Sequence, residues 1–466
     1  MKKFPSIFFF LLLIFPIFAA SPVRAATLNV PQNYSTVMAA YDAAADGDEI
    51  IVAPGSYDVC LSGNRTKRIA LKAQNPATSS PASQQTILNS TCSHVIQFKT
   101  PLDTDGVFQS GDHVEFIGFV LKGSDDGFSY EAASGIVKNN IITGQSDDPI
   151  DIDGASEAHI FGNILKDGVG GGDGIENRLY TVPGSRVIQI IIKNNIIYNS
   201  RNDGIQLIDQ TGTLTKRKYL IANNLIIGSG QAGLGTTQGG NSSQTDVGYA
   251  LPEPAFILHN TFVNNSWGGI IGGANMKVHN NIFYNNGKVA LKNVSGSSLA
   301  SHNLFFGNAQ DSQGSNLQNP NLFADPKFAN AASPPDFSSY QLTNGSPAVN
   351  SGLNVDSYYR EFGLAPPGFS GTAPDLGWLE LSTGNGPTNT PPPQITNTPP
   401  PITNTPPVGG KPGDANSDNI VDGQDYMVWR ANYNSQASGG ASIGDFDSNA
   451  RVDGQDYMIW RGNYLK

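Results

Sequence analysis

The stretch IIKNNIIYN, at positions 191–199, decides the fold because variants of it recur along the chain. Each copy places an asparagine between two short apolar runs, and the asparagines follow one another at intervals of 21 to 36 residues. Short apolar strands at this period, with no helical phase between them, predict a coiled parallel sheet whose insertions form loops. Stacked asparagines can hydrogen-bond from coil to coil as amide ladders do. The asparagines in this column are Asn140, Asn163, Asn195, Asn224, Asn260, Asn281 and Asn303.

Leucine-rich repeats are the alternative solenoid at this period, but their leucine frame and helical half are missing. The repeated unit resembles that of the right-handed parallel β-helix proteins, the pectate-lyase-like superfamily, over residues 26–308. The opening VPQNYSTVMAAYDAAADGDEIIVAPGSY, from Val30, resembles the N-terminal cap of that group. Residues 309–384, which include DPKF and PDLGWLE, resemble the C-terminal extension of its secreted members. We therefore expect an all-β solenoid with a cap at its N-terminal end.

The first 25 residues resemble an export signal. Lys2 and Lys3 precede an apolar run from Phe8 to Phe18, and small residues follow up to Ala25. An uncleaved membrane anchor is the alternative, but the run is short for a bilayer span. Loss of Lys2, Lys3 and Arg24 changes the formal net charge from −11 to −14. We expect a secreted, extracellular or surface-attached protein that does not bind nucleic acid, because phosphates would be repelled.

Cys60 and Cys92 are the two cysteines of the chain. In an exported protein such a pair favours a disulfide over a metal site or a nucleophile.

The C-terminal region repeats itself after a proline-rich spacer, which we place at 385–412 and expect to be extended. The stretch VDGQDYMVWR at 421–430 returns as VDGQDYMIWR at 452–461. In each copy, oxygen-bearing residues occur at positions 1, 3, 5, 7, 9 and 12 of a loop, the spacing that wraps Ca²⁺. The first loop offers Asp414, Asn416, Asp418, the carbonyl of Ile420, Asp422 and Asp425. The second offers Asp445, Asp447, Asn449, the carbonyl of Arg451, Asp453 and Asp456.

These two loops, each followed by helix-forming residues, resemble a type I dockerin over residues 413–466. A solvated acidic tail is the alternative, which two phased copies argue against. The resemblance implies a small α, EF-hand-like module that folds around two Ca²⁺ ions and binds a cohesin domain on a scaffold or cell surface. It also implies that partner binding falls on Gln424 and Arg430 in one copy, and on Gln455 and Arg461 in the other.

A second column of residues follows the early asparagine strands. Asp126, Asp148, Asp173 and Asp203 recur at one corner of four successive predicted coils. Turn-forming aspartates that bond their own backbone are the simpler explanation for Asp126 and Asp203.

In the strand after this corner, inward isoleucines would leave the residues between them on the outer face. If Ile150, Ile152 and Ile175 point inward, four polar side chains point outward on adjacent coils. We predict these as the candidate catalytic residues: Asp151, Asp153, Glu176 and Arg178.

Two chemistries suit these residues. Glycoside hydrolysis needs two carboxyl groups, one protonated as the acid. Eliminative cleavage of a uronate needs a cation or arginine to neutralise the substrate carboxylate, and a base. Asp148, Asp151 and Glu176 are candidate ligands for a third Ca²⁺, with Arg178 or Lys166 as base or clamp. The chain lacks the Gly-His-Gly and Arg-Ile-Lys signatures of polygalacturonases and the Arg-Xaa-Pro-Xaa-Xaa-Arg of pectate lyases.

Three functions remain open at this point: a polysaccharide hydrolase or lyase, a non-catalytic carbohydrate-binding or adhesive β-helix, and a structural surface-layer repeat. The fold alone does not choose among them.

Overall fold

The computed structural model describes two compact units, residues 25–381 and residues 411–463. In the first unit it describes 25–99, 114–131, 133–154, 156–166, 170–179, 187–209, 217–238, 251, 254–330 and 337–381. In the second it describes 411–415, 421, 425, 428–429, 432, 440–446, 451–452, 456, 459–460 and 463. The predicted export signal, except Ala25, and most of the spacer lie outside the described residues.

The described residues of the first unit form mainly short strands, with two short α-helices. The strands are β1 (Thr27–Val30), β2 (Glu49–Val52), β3 (Gly55–Val59), β4 (Leu61–Arg65), β5 (Ala70–Ala73), β6 (Thr86–Ser90), β7 (His94–Phe98), β8 (Val114–Ile117), β9 (Val120–Lys122), β10 (Asp126–Glu131), β11 (Ser134–Lys138), β12 (Ile141–Thr143), β13 (Ile150–Asp153), β14 (Glu157–Phe161), β15 (Ile164–Lys166), β16 (Ile175–Leu179), β17 (Ile188–Lys193), β18 (Ile196–Tyr198), β19 (Ile205–Asp209), β20 (Arg217–Ala222), β21 (Leu225–Ile227), β22 (Ala232–Gln238), β23 (Ala255–Leu258), β24 (Thr261–Val263), β25 (Gly268–Ile271), β26 (Met276–His279), β27 (Ile282–Tyr284), β28 (Val289–Lys292), β29 (Leu299–Ser301), β30 (Leu304–Phe306), β31 (Ser312–Gln313) and β32 (Leu322–Phe323). The helices are α1 (Val37–Ala43) and α2 (Asp356–Arg360), with 3-10 turns at Ala82–Gln84, Phe337–Tyr340 and Gly440–Ile443.

These strands build three parallel sheets, and each coil of the chain adds one strand to each sheet. The first sheet runs in the order β1-β2-β5-β8-β11-β14-β17-β20-β23-β26-β29. The second runs β3-β6-β9-β12-β15-β18-β21-β24-β27-β30-β32, and the third runs β4-β7-β10-β13-β16-β19-β22-β25-β28-β31. The first unit is therefore an all-β parallel β-helix, as predicted. Its sheets continue past Asn308 to Phe323.

The predicted asparagine column is a buried hydrogen-bond ladder between the first and second sheets. The Oδ1 of Asn195 accepts from the backbone N and from the Nδ2 of Asn163, at 2.9 and 3.0 Å. The same contact repeats along the predicted column and ends at Asn321, beyond the set predicted from sequence. Residues just before the ladder, such as Asn194 and Asn223, have φ near +55° to +59°. Asparagine tolerates this left-handed conformation, which explains the Asn-Asn pairs.

Two segments cover the β-helix. Helix α1 begins after Thr36, whose Oγ1 accepts from the N of Ala39 at 3.0 Å, and it buries Tyr41 near Phe98. The C-terminal extension packs on the outer faces of the first and second sheets. There Tyr359 joins a cluster with Ile191 and Leu220, and Trp378 joins one with Ile196 and Leu225. These two clusters lie away from the third sheet.

Cys60 and Cys92 form a disulfide with Cα atoms 5.5 Å apart, as predicted. Among the helices formed by the described residues, none is long and apolar enough to cross a membrane.

Candidate functional site

The predicted catalytic residues lie together on the outer face of the third sheet. Ile150, Ile152 and Ile175 belong to the buried core, so the strands alternate as the sequence predicts. Asp151 on β13 stands directly opposite Glu176 on β16 in the sheet register. These two side chains are only 5% and 3% exposed, although an open outer face was expected.

Arg178 is the cation that packs across these carboxylates. Its Nη1 lies 3.2 Å from Oδ2 of Asp153, with which it forms a hydrogen bond. Its Nη2 lies 2.6 Å from Oε1 of Glu176, an ion-pair contact that lacks hydrogen-bond angles. Burial alone would lower the pKa of Arg178, but Glu176 and Asp153 outweigh it and raise that pKa. Arg178 therefore serves as a charged clamp and not as a proton acceptor.

The aspartate column is a second hydrogen-bond ladder, at the corner that leads into the third sheet. Oδ1 of Asp148 accepts from the N of Asp173 at 2.6 Å, and Oδ1 of Asp173 accepts from the N of Asp203 at 2.6 Å. Asp126 accepts in the same way from Asp148. The expectation that Asp126 and Asp203 bond their own local backbone is wrong. The acceptor oxygens point along the helix axis because backbone N–H groups of the next coil lie in register there.

Two groups of three carboxylates, which share Asp148, have the geometry to hold a cation. One group is Asp148, Asp151 and Glu176, and the other is Asp126, Asp147 and Asp148. Within each group, one oxygen per residue lies within 4.8 Å of the others. Oδ1 of Asp151 is buried and has no hydrogen-bond partner among the described residues. Buried carboxylate oxygens of this kind are the ligands that hard divalent cations prefer, so the residues fit such an ion.

Burial raises the pKa of Asp148, Asp151 and Glu176, the three carboxyl groups of the buried group. Burial, and then the charge of Asp173, raise the pKa of Asp148 well above its usual range. Burial, followed by Asp153 and Glu176, does the same for Asp151. Burial raises the pKa of Glu176 to about 7, although Arg178 opposes the shift. Groups with a pKa near neutrality can give or take a proton under physiological conditions.

Three neighbours of the site were not predicted as site residues. His94 lies 3.1 Å from Oδ2 of Asp126, a contact that lacks hydrogen-bond angles, and the nearby carboxylate raises the pKa of the imidazole. Gln206 stands opposite Glu176 in the register, so it continues the row of outward polar residues. Asn177 points inward, where it donates to the carbonyl of Ile152 and accepts from the hydroxyl of Tyr219. Aligning GDGIEN with NDGIQL would have revealed Gln206 from the sequence.

Lys166 was an alternative base, but the structure places it elsewhere. It ends β15 in the second sheet, on a different face of the coil from the carboxylate cluster. His259, beside the asparagine ladder, makes two contacts with the C-terminal extension and the ladder's neighbouring residues. In His259, Nδ1 lies 3.1 Å from the carbonyl of Asp375 and Nε2 lies 2.9 Å from Nδ2 of Asn280.

In the C-terminal unit, the two sequence copies make equivalent contacts. Oδ1 of Asp425 accepts from the N of Ala415, and Oδ1 of Asp456 accepts from the N of Phe446. A Cβ atom at Gly413 would meet the Cα of Trp460 at 2.8 Å, and one at Gly444 would meet the Cα of Trp429 at 2.6 Å. The halves are thus packed reciprocally. The described carboxylates of the two loops are all buried: Asp414, Asp425, Asp445 and Asp456.

The other predicted loop ligands and the partner-binding residues lie outside the described residues, except Arg451. These are Asn416, Asp418, Ile420, Asp422, Asp447, Asn449 and Asp453 among the ligands, and Gln424, Arg430, Gln455 and Arg461 among the partner-binding residues.

The chain matches no protein-family profile and no curated protein. Several solved structures are similar to it. Pectate lyase Pel9A is 14% identical, covers 77% of this chain and 96% of its own, and has a TM-score of 0.49. An alginate lyase from Paenibacillus sp. str. FPU-7 is 13% identical, covers 64% and 99%, and has a TM-score of 0.37. The catalytic unit of a GH87 alpha-1,3-glucanase from Streptomyces thermodiastaticus strain HF3-3 is 14% identical, covers 66% and 67%, and has a TM-score of 0.33.

Proposed function

We propose that this protein cleaves an acidic polysaccharide by elimination, with a divalent cation held by the carboxylates around Asp148. The observation that supports this best is the buried group of Asp148, Asp151 and Glu176, in which an oxygen of Asp151 has no hydrogen-bond partner among the described residues. A cation bound there would neutralise the carboxylate of a uronate and make the adjacent proton easier to remove. Calcium is the ion that an all-carboxylate site favours in an extracellular setting.

In this proposal the protein's own side chains divide the remaining work. Arg178 stays charged and clamps Glu176 and Asp153 in place. If Asp126, Asp147, Asp148 and Asp151 hold the cation, Glu176, whose pKa burial raises to about 7, is left to accept the substrate proton. Asp147 is the exposed member of the group formed by Asp126, Asp147 and Asp148, so it connects the buried cluster to solvent.

Hydrolysis is the second candidate reaction, and the same pKa of Glu176 favours it. A protonated Glu176 would act as the acid, and Asp151 on the neighbouring coil would act as the nucleophile or base. The close approach of their oxygens, within 4.8 Å, is nearer to the retaining than to the inverting geometry.

The test is to incubate the protein with polygalacturonate, alginate and neutral glucans, in calcium and in chelator. Elimination produces reducing ends together with the ultraviolet absorbance of unsaturated uronates, and we expect both only with calcium. Reducing ends without that absorbance would favour hydrolysis. No cleavage of any polysaccharide would favour the non-catalytic binding or structural function.

We also propose that the protein is secreted and is attached through residues 413–466 to a cohesin domain. The reciprocal contacts of Gly413 with Trp460 and of Gly444 with Trp429 support a module built from two equivalent halves. The buried carboxylates of Asp414 and Asp445 support two calcium loops, since such charges are costly to bury without a cation. The expected partner residues are Gln424 and Arg430, or their equivalents Gln455 and Arg461.

Because the two halves are alike, either is expected to bind the cohesin. Changing Gln424 and Arg430 to alanine should leave capture by a cohesin column nearly intact, and so should changing Gln455 and Arg461. Changing all four should abolish it. Loss of capture after either pair alone would contradict binding by two alternative faces.

A further inference from the structure

We propose that the polysaccharide lies along the axis of the β-helix, on the ridge between the second and third sheets, with Trp267 as an aromatic platform for a sugar ring. This inference rests on the proposed function, because it names the binding track that leads to the carboxylate cluster. The track is defined by Gly172, Asn202, Gln231, Trp267 and Lys288.

The track is one continuous column of the fold. The backbone N of Asn202 donates to the carbonyl of Gly172 on the preceding coil. In the same way, the N of Gln231 donates to the carbonyl of Asn202, and the N of Trp267 donates to the carbonyl of Gln231. Lys288 occupies the same position on the next coil, because Gly268 pairs with Val289. The column begins beside the cluster: a Cβ atom at Gly172 would lie 2.7 Å from Oδ1 of Asp148.

The side chains of the track also touch one another at the surface. Nε2 of Gln231 donates to Oδ1 of Asn202 at 3.2 Å, and Nδ2 of Asn202 donates to the carbonyl of Gly171. Nζ of Lys288 lies 4.3 Å from the centre of the Trp267 ring. Asn202, Gln231 and Trp267 are half-buried, and Lys288 is exposed. A row of amides that ends in an aromatic ring suits a sugar chain, whose hydroxyls need hydrogen bonds and whose ring faces are apolar.

Gly171, which precedes the first residue of the track, leaves room for the substrate. Nothing lies within 4 Å of a Cβ atom built on Gly171, so the surface there is open. The carboxylate cluster begins next to it, on the coil of Asp147 and Asp148. Trp267 is four coils from Asp147, or about 19 Å at the usual spacing of neighbouring strands. A linear polymer could therefore occupy the cluster and the platform at once.

Lys288 indicates the class of polymer. An ammonium group over an indole ring is attracted electrostatically to the face of the ring. It can still form an ion pair with an anion at the edge of the ring. The pair therefore suits an acidic sugar whose ring stacks on Trp267 while its carboxylate meets Lys288. A neutral sugar would use the ring alone.

The experiment is affinity electrophoresis of the full-length protein through gels that contain polygalacturonate, alginate or a neutral glucan. We expect at least one acidic polymer to retard the wild type. Trp267→Ala should weaken that binding about 3- to 10-fold, the scale of one aromatic contact. Trp267→Phe should keep most of it. Phe323→Ala is the matched control, because Phe323 is 61% exposed and lies off the track.

Lys288→Gln tests the charge, and it should weaken binding to acidic polymers while leaving neutral ones unaffected. Unchanged melting temperatures would show that each variant is folded. Equal retardation of Trp267→Ala and wild type, or no retardation of the wild type by any polymer, would overturn the track. Binding that depends on Trp267 without cleavage would keep the track and overturn the proposed reaction. Cleavage of a polymer whose binding does not depend on Trp267 would keep the proposed reaction and overturn the track.

Discussion

Asp151 has a carboxyl group that the fold buries beside other acids. Burial, Asp153 and Glu176 all disfavour its ionised form, and its Oδ1 has no partner among the described residues. We predict that Asp151→Asn raises the melting temperature in chelator, because the amide replaces a carboxyl group whose ionisation the folded protein disfavours. The same change should abolish the stabilisation by calcium and lower polysaccharide cleavage at least about 100-fold. Melting curves with and without calcium, together with reducing-end assays, check both effects.

Asp42→Asn is the matched control for this variant, since Asp42 is exposed on α1 and more than 80 positions before the carboxylate cluster in the sequence. It should change neither the melting temperature nor the calcium response. A destabilised Asp151→Asn variant in chelator, or one with full activity, would contradict the assigned role.

His259 makes the β-helix sensitive to acid. Burial lowers the pKa of this imidazole from 6.5 to about 4, so the folded protein keeps it neutral. As the pH falls below 6.5, the unfolded chain binds a proton that the folded chain does not, and stability is lost until about pH 4. The loss at pH 5 is about 2 kcal/mol. We predict that His259→Asn flattens the dependence of the melting temperature between pH 7 and pH 5.

Asparagine is the suitable replacement because Asn194 and Asn223 occupy the equivalent left-handed position on other coils. An unchanged pH dependence in His259→Asn would contradict the prediction. His279, whose pKa burial also lowers to about 4, would contribute to the dependence that remains.

At the residue scale, the sequence was sufficient to place the catalytic candidates but not to describe their surroundings. The alternation of Ile150 and Ile152 with Asp151 fixes which side chains leave the core. The burial of Asp151 and Glu176 depends on how Arg178 folds across its own strand, and strand periodicity carries no information about that. The direction of the Asp148 carboxylate was also missed, since it depends on a backbone N–H from the next coil.

The asparagine ladder is the element that holds one coil to the next. Asn195 accepts two hydrogen bonds from Asn163 and donates one each to Ile160 and Asn224. Replacement by alanine would leave buried amide groups unpaired, at about 1–3 kcal/mol for each. We predict that Asn195→Ala lowers the free energy of unfolding by several times the effect of Asn330→Ala, an exposed control. Urea denaturation of both variants measures the difference, and similar midpoints would contradict the prediction.

At the element scale, the repeated unit predicted the position of the corner between the first and second sheets. Its asparagine and flanking apolar residues specify the end of a first-sheet strand and the start of a second-sheet strand, as in β17 and β18. The last coil was placed outside the solenoid because its strands are two residues long, as in β31 and β32, and lack that apolar pattern. Backbone pairing and Asn321 hold this coil in place, and neither has a strong signature in sequence.

At the scale of the whole molecule, the covering segments divide the surface of the β-helix by function. The C-terminal extension buries apolar outer faces of the first and second sheets through Tyr359 and Trp378. The acidic cluster lies on the third sheet, where β13 and β16 carry Asp151 and Glu176 on their outer face. The extension thus stabilises the solenoid from the sides that the proposed substrate does not use.

Because we propose calcium binding in both compact units, we predict that chelation has two separable effects. In the full-length protein, chelator should unfold residues 413–466 and abolish cohesin capture, because the buried Asp414 and Asp445 repel other loop acids without an ion.

A chain that ends at Leu381 lacks this unit but keeps the cluster around Asp148. Its melting temperature and its polysaccharide cleavage should still rise when calcium is added. Circular dichroism of both chains, with matched activity assays, separates the two responses. A truncated chain that is indifferent to calcium yet active would replace elimination by hydrolysis, since the carboxylates would then be working without an ion.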